Sequence, residues 1–240
     1  MKVGVFVKPV YDPAKVVFDR KVNEISTVNL PLMLNPPDRN AIEIALNANA
    51  KTHVFCIGQD DAEPVLMEAL AFGINGVYLI KKTSENLILQ ASLLAKATSE
   101  ASIDVMIFGN SAIDYGYMGI AEATADKLKA SFIANISSLE FEGRRAVATK
   151  IGTNKSFRIA AELPCVFTAG HAKVHRYPTP ANIRDAYQKK IVRIEYDAEK
   201  ANSELIVRGI TPIEKPKSTV IKGELKQVVN DAMRLMKRTL

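Results

Sequence analysis

Over its first 130 residues the chain alternates short apolar runs with longer stretches of helical period, and that alternation limits it to a few folds. The run VGVFV within residues 2–10 reads as a buried strand that ends at Lys8-Pro9. After a loop, Asn35-Pro36-Pro37-Asp38 stops the chain and restarts it as a helix, with Asp38 as N-cap and Ala41, Ile42, Ala45, Leu46 and Ala48 at helical spacing. THVFCIG is a second strand. DDAEPVLMEALAFGI follows as a second helix, with Pro64 in its first turns and Leu66, Ala69, Leu70 and Phe72 along its apolar stripe. GVYLI (76–80), ENLILQASLLAKATSEA, IDVMIFG (103–109) and GIAEATADKLKA repeat the alternation. This pattern predicts a doubly wound α/β fold, a mostly parallel sheet covered by helices on both faces.

The period changes after Ser131. ISSLEFEG, RRAVATKIG and KSFRIAAELPCVFTAG are short alternating runs broken at Gly143-Arg144 and Gly152-Thr153, which predicts antiparallel hairpins added at one edge. Past Gly170 the prolines of HAKVHRYPTPANIRDAYQKK and ITPIEKPKS indicate an extended arm. KGELKQVVNDAMRLMKRTL returns to a helical period, with Leu225, Val228, Val229, Met233, Leu235 and Met236 as its apolar face. The chain therefore divides into an α/β domain over 1–170 and a C-terminal arm with a terminal helix over 171–240. Such a helix needs a docking surface, on its own domain or on another subunit.

Composition excludes several classes. With 240 residues, 48% of them hydrophobic and 24% charged, the chain can bury a large core and is neither disordered nor of low complexity. Cys56 and Cys165 lie in separate apolar runs, as buried reduced thiols do, which points to a reducing, cytoplasmic setting. The apolar run at the N-terminus is too short for a signal peptide, and no segment approaches the length of a membrane span, so the chain reads as soluble. Charge is uneven: residues 171–240 carry +7 and residues 1–170 carry −1, within a total of +6. Basic residues of the tail alternate with acids, and neither an RNA-binding motif nor zinc spacing accompanies them, which argues against nucleic acid.

In an open parallel sheet the ligand crevice lies beyond the carboxyl ends of the strands, where the strand order reverses. The residues in question are then Lys8 to Asp12, Ile57 to Gln59, and Gly109 to Gly119. Three glycines and a following helix suit a phosphate, whose oxygens can meet unpaired N–H groups at the helix start; a plain glycine-containing loop reads the same way. His53 opens a strand and reads as an edge residue, while His171 and His175 lie in the proline-rich arm, so no metal is expected. Asp38 and Glu43 share one helix near the crevice, where capping and solvation account for both. There is no nucleophile elbow and no cysteine with a nearby base. The residues describe a binding site without a reactive group, hence a carrier or binding protein and not an enzyme.

Several segments together carry a resemblance: Val7-Lys8-Pro9-Val10-Tyr11-Asp12 (VK-x-V-x-D), Asn35 to Leu46 (NP-x-D-x-x-A-x-E-x-AL), EALAFGINGVYLI, GNSAIDYGYMGIAEATADKLKA, AELPCVFTA and RYPTPANIRDAYQKK. In order and spacing they resemble the β subunits of electron transfer flavoproteins, the FixA family, over nearly the whole chain. The resemblance implies a Rossmann-like, adenine-nucleotide-binding fold and a heterodimer with a related α subunit. It also implies AMP, or a second FAD in electron-bifurcating members, bound to this chain, and a redox FAD held mainly by the α subunit. Electrons would pass from flavin dehydrogenases to a quinone- or ferredoxin-linked acceptor.

By motif match, the nucleotide would contact Phe6 through its backbone, then Asn35, Pro36, Pro37, Asp38 and Ile57. The loop Ala112, Ile113, Asp114, Tyr115, Gly116, Tyr117, Met118, Gly119, Ile120, Ala121, Glu122 and Ala123 would complete the site. Arg176, Tyr177, Pro178, Thr179, Pro180, Ala181, Asn182 and Ile183 would begin the segment with which family members grip dehydrogenases. There are three departures from the family pattern. Asp114 to Ala121 replace its usual D-G-D-x-x-Q-V/T-G, Pro180 stands where a leucine is inserted into the dehydrogenase, and Pro13 stands where some members place an aromatic residue near the flavin. A stand-alone adenine-nucleotide-binding or sensing protein of the same fold is the alternative reading, and a scaffold with an empty crevice is a third.

Overall fold

The structure, a computed structural model, describes residues 1–22, 24–82, 86–114, 116, 119–170, 176–196 and 220–239. The elements follow in chain order: β1 (Lys2–Phe6), β2 (Pro9–Tyr11), β3 (Val17–Asp19), β4 (Glu24–Ser26), β5 (Leu32–Leu34), α1 (Pro36–Asn47) and β6 (Lys51–Gly58). A 3-10 turn at Asp60–Ala62 leads into α2 (Glu63–Ala71), β7 (Gly76–Lys81), α3 (Leu87–Glu100), β8 (Val105–Gly109) and α4 (Ile120–Leu128). Then come β9 (Ser131–Glu142), β10 (Arg145–Ile151), β11 (Ser156–Glu162), β12 (Cys165–Ala169), α5 (Pro180–Gln188), β13 (Ile191–Ile194) and α6 (Leu225–Thr239).

Nine strands form one sheet in the order β11-β10-β9-β12-β8-β1-β6-β7-β13. From β9 through β13 every pairing is parallel, and β10 and β11 extend the sheet antiparallel beyond β9. The doubly wound fold with added antiparallel strands is therefore what forms. Two details differ from the sequence reading. Cys165–Ala169 is no hairpin arm: as β12 it inserts parallel between β8 and β9. The segment after β1 is not a bare loop, because β2 pairs with β5 and β3 with β4.

Alternation along β1 divides the core. Val3, Val5 and Val7 join Ile42, Leu66 and Leu70 beneath α1 and α2, whereas Phe6 joins Leu94, Phe108 and Ile120 beneath α3 and α4. Gly4 is required on the second face, because a Cβ there would collide with the Met106 sulfur. His53 is not at a sheet edge, since β6 pairs on both sides, and its ring lies 5.9 Å from that of Tyr78.

The sheet also continues past residue 170. β13 pairs in register with β7, and Ala186 of α5 is 2% exposed, so α5 and β13 pack on the α/β domain. The helix expected at the end is α6, and Leu225, Val229, Met233, Leu235 and Met236 on it are exposed. No helix among the described residues is long and apolar enough to cross a membrane.

Candidate functional site

The strand order reverses at β1: the chain leaves it through α1 to β6 on one side and returns through α3 to β8 on the other. At that switch point the carboxyl ends of β1, β8 and β12 and the first turns of α1 and α4 surround a crevice. It is lined by Phe6, Asp38, Phe108, Gly109, Asn110, Ser111, Gly119, Ile120, Ala121, Glu122 and Thr168. The rings of Phe6 and Phe108 meet at 5.5 Å in its floor. Between these residues the cavity is about 20 Å³, the room one water needs.

Two helix starts frame the crevice. α1 begins with prolines at its first positions, where a missing N–H costs nothing, and β8 ends against this turn. Gly109 is obligatory there, because any Cβ would strike Asp38 Oδ1 and the backbone of Pro37 and Asp38. α4 begins at Gly119, held at φ +64°, and among the described residues no side chain caps its first N–H groups. Glycine is the residue that takes this left-handed turn without strain, and the open N–H groups carry partial positive charge toward the crevice.

The loop between β8 and α4 is tied down from the α1 side. Asn35, 1% exposed, donates from Nδ2 to the Ser111 carbonyl at 2.9 Å and accepts at Oδ1 from the Ile113 N–H at 3.2 Å. Ala112 and Gly116 exchange hydrogen bonds of 2.7 Å, which closes the loop into a tight turn. Lys8 Nζ, two residues beyond β1, meets Asp114 in this loop at 2.7 Å.

Asp38 is the buried ionisable group of the crevice. Its carboxylate accepts the Lys8 N–H at 2.7 Å and does not cap its own helix, whose N-cap is Asn35. Burial pushes its pKa up to about 7, although hydrogen bonds from Lys8, Asn35 and Gly109 and the Lys8 charge draw it down. Among the described residues no group of His, Cys, Asp or Glu could hold a metal ion.

Comparison with known proteins gives this geometry its context. The family model of the electron transfer flavoprotein domain matches residues 22–199, well over half of the chain. The chain belongs to the electron transfer flavoprotein family. Its relatives mark it as of β type. It is 27% identical to the electron transfer flavoprotein subunit beta of Thermoanaerobacterium thermosaccharolyticum, with 96% of each chain covered. It is also 27% identical to the caffeyl-CoA reductase-Etf complex subunit CarD of Acetobacterium woodii, over 80% of this chain and 77% of that one. Identity to the acryloyl-CoA reductase electron transfer subunit gamma of Anaerotignum propionicum is 23%, with 96% of each covered.

The positions carried over from the flavoprotein motifs fall into distinct sets. Phe6, Asp38, Gly119, Ile120, Ala121 and Glu122 line the crevice. Asn35, Ala112, Ile113, Asp114 and Gly116 build the strap over it, while Pro36 and Pro37 start α1. Ile57 packs one strand away against the α3 and α4 core, and Ala123 N–H bonds within the helix turn to Gly119 O, so neither lines the crevice. Tyr115, Tyr117 and Met118 lie outside the described residues. Gly109, Asn110 and Ser111 line the crevice from the strand end marked by the sheet argument, although the motif match passes over them. Phe108 and Thr168 line it without having been singled out at all. Phe108 could have been taken from the end of strand IDVMIFG; Thr168 could not, because nothing local places β12 beside β8.

The arm is separate from the crevice. Arg176 lies on α1, where Glu43, 1% exposed, accepts its N–H at 2.8 Å and its Nε at 3.0 Å. Glu43 is therefore a buried anchor and not a solvated helix residue. Thr179 caps α5 by accepting the Asn182 N–H at 3.1 Å, and Pro180 is the first helical residue, which its fixed φ favours. Tyr177, Ile183 and Tyr187 are exposed.

Proposed function

We propose that this β-type electron-transfer subunit binds an adenine nucleotide, AMP or a second FAD, in the crevice at the switch point, and pairs with an α subunit that holds the redox FAD. The carrying observation is the start of α4 at the left-handed Gly119, which no described side chain caps and which opens onto a crevice at the carboxyl ends of β1 and β8. Its donors fit a phosphate: the N–H groups of Ile120, Ala121 and Glu122 would hold the oxygens. A base and ribose need more room than about 20 Å³, so the crevice widens when the nucleotide is bound. Bound FAD would supply reversible one- and two-electron chemistry, and AMP would be structural. The chain's own residues bind, orient and exclude water.

The arm over 176–190 then faces the protein partners. Two relatives carry the names of a caffeyl-CoA reductase complex and an acryloyl-CoA reductase, which favours flavin dehydrogenases of CoA thioesters as electron partners here, upstream of a quinone- or ferredoxin-linked acceptor. The test is co-expression with the α-type protein of the same genome, followed by an absorbance spectrum and chromatography of acid-released nucleotides. Flavin in the pair with AMP, or more than one FAD per heterodimer, is the expected result. A stable flavin-bearing pair that releases no second nucleotide would sink the crevice assignment, and a chain that forms no pair would sink the subunit role.

A further inference from the structure

We infer that Glu43 is the positioning residue of the arm: through Arg176 it fixes how the segment from Tyr177 to Tyr187, with its exposed tyrosines, is laid on the domain. Arg39, Glu43 and Asn47 lie at i, i+4 and i+8 on α1 and so form one stripe, and all three grip the same arginine. Glu43 takes the Arg176 N–H and Nε, and Asn47 Oδ1 accepts from an Arg176 terminal nitrogen at 2.7 Å. Arg39 donates to the Arg176 carbonyl at 3.1 Å. The Arg39 guanidinium also lies 4.9 Å from the Phe72 ring and 5.7 Å from the Tyr177 ring, which lays the first arm residue against α1.

At the other end, Lys189 Nζ donates to the Ile74 carbonyl and β13 begins its register with β7. Between the two anchors Tyr177 is 82% exposed and Tyr187 77%. A buried carboxylate paired with a half-exposed arginine is a poor source of net stability compared with an apolar contact of the same size. What it supplies is direction, because both carboxylate oxygens and both backbone polar groups of Arg176 are committed to one helix.

That Glu43 holds the arm stands on this geometry; that the arm then meets an electron partner rests on the reading above. The experiment uses the heterodimer with Glu43→Ala, Glu43→Gln and Arg176→Lys, and reads amide hydrogen exchange peptide by peptide. Exchange over residues 177–188 should accelerate tenfold or more in Glu43→Ala. It should accelerate less in Glu43→Gln, which keeps one acceptor for the Arg176 N–H, while peptides from β1, β6 and β8 and the flavin content stay unchanged. With a flavin acyl-CoA dehydrogenase of the same genome as the varied electron donor, KM should rise in Glu43→Ala more than kcat falls.

Faster arm exchange with an unchanged KM would uphold the positioning role and overturn only the assignment of the arm to that partner. Arm exchange equal to wild type, or accelerated only together with the core strands, would overturn the inference.

Discussion

Asp38 is caught between two demands. The strand-to-helix turn needs an acceptor for the Lys8 N–H, and the close approach of Gly109 leaves the carboxylate almost no contact with water. Since its folded pKa of about 7 lies above the ordinary 3.8, the folded state holds a proton there between those values that the unfolded state has lost. This contribution to stability is present below pH 4 and disappears as the pH rises through 7. An asparagine side chain would keep an acceptor without a charge. Denaturant unfolding of Asp38→Asn and wild type from pH 4 to 8 should therefore show the variant gaining relative stability with pH, by on the order of 4 kcal/mol at most. Parallel pH profiles would mean that Asp38 stays ionised in the folded chain.

The loop between β8 and α4 owes its course to a residue 76 positions away, Asn35, whose side chain meets Ser111 O and the Ile113 N–H. Asn35→Ala leaves both groups without this partner, and a loss of about 1–3 kcal/mol is expected. Calorimetry should register it, with faster exchange at the Ile113 amide. The strands and helices of the α/β repeat were legible in the sequence because each is set by its own period: valine alternation for β1, and Ala41, Ile42 and Ala45 for α1. The antiparallel character of β10 and β11 was legible for the same reason. What was not legible depended on distant partners. Glu43 looks like any helix glutamate until Arg176, 133 residues later, is laid on it. The placement of β12 between β8 and β9, and with it Thr168 in the crevice, follows from a crossover that no local period records. Asp38 has the composition of an N-cap, but two prolines ahead of it move the helix start back to Asn35.

At the scale of the whole molecule, α6 carries an apolar face with no core beneath it among the described residues, and Leu225, Val229, Met233, Leu235 and Met236 remain exposed. A chain cut after residue 219 should keep its thermal midpoint within about 2 °C, because little packed surface is lost. It should also self-associate less by light scattering, since an apolar patch has been removed. A fall of many degrees would mean that α6 is seated on the domain in solution. The sheet has its own peculiarity of assembly, because β12 lies near its middle yet follows β9, β10 and β11 in the chain. A ribosome delivers the three outer strands before the one that joins them to β8. Until Ala169 emerges, the nascent chain has a β1-centred half with an open flank and a β9–β11 ribbon with nothing beside it. A short stretch of translation thus decides whether two exposed edges find β12 or each other.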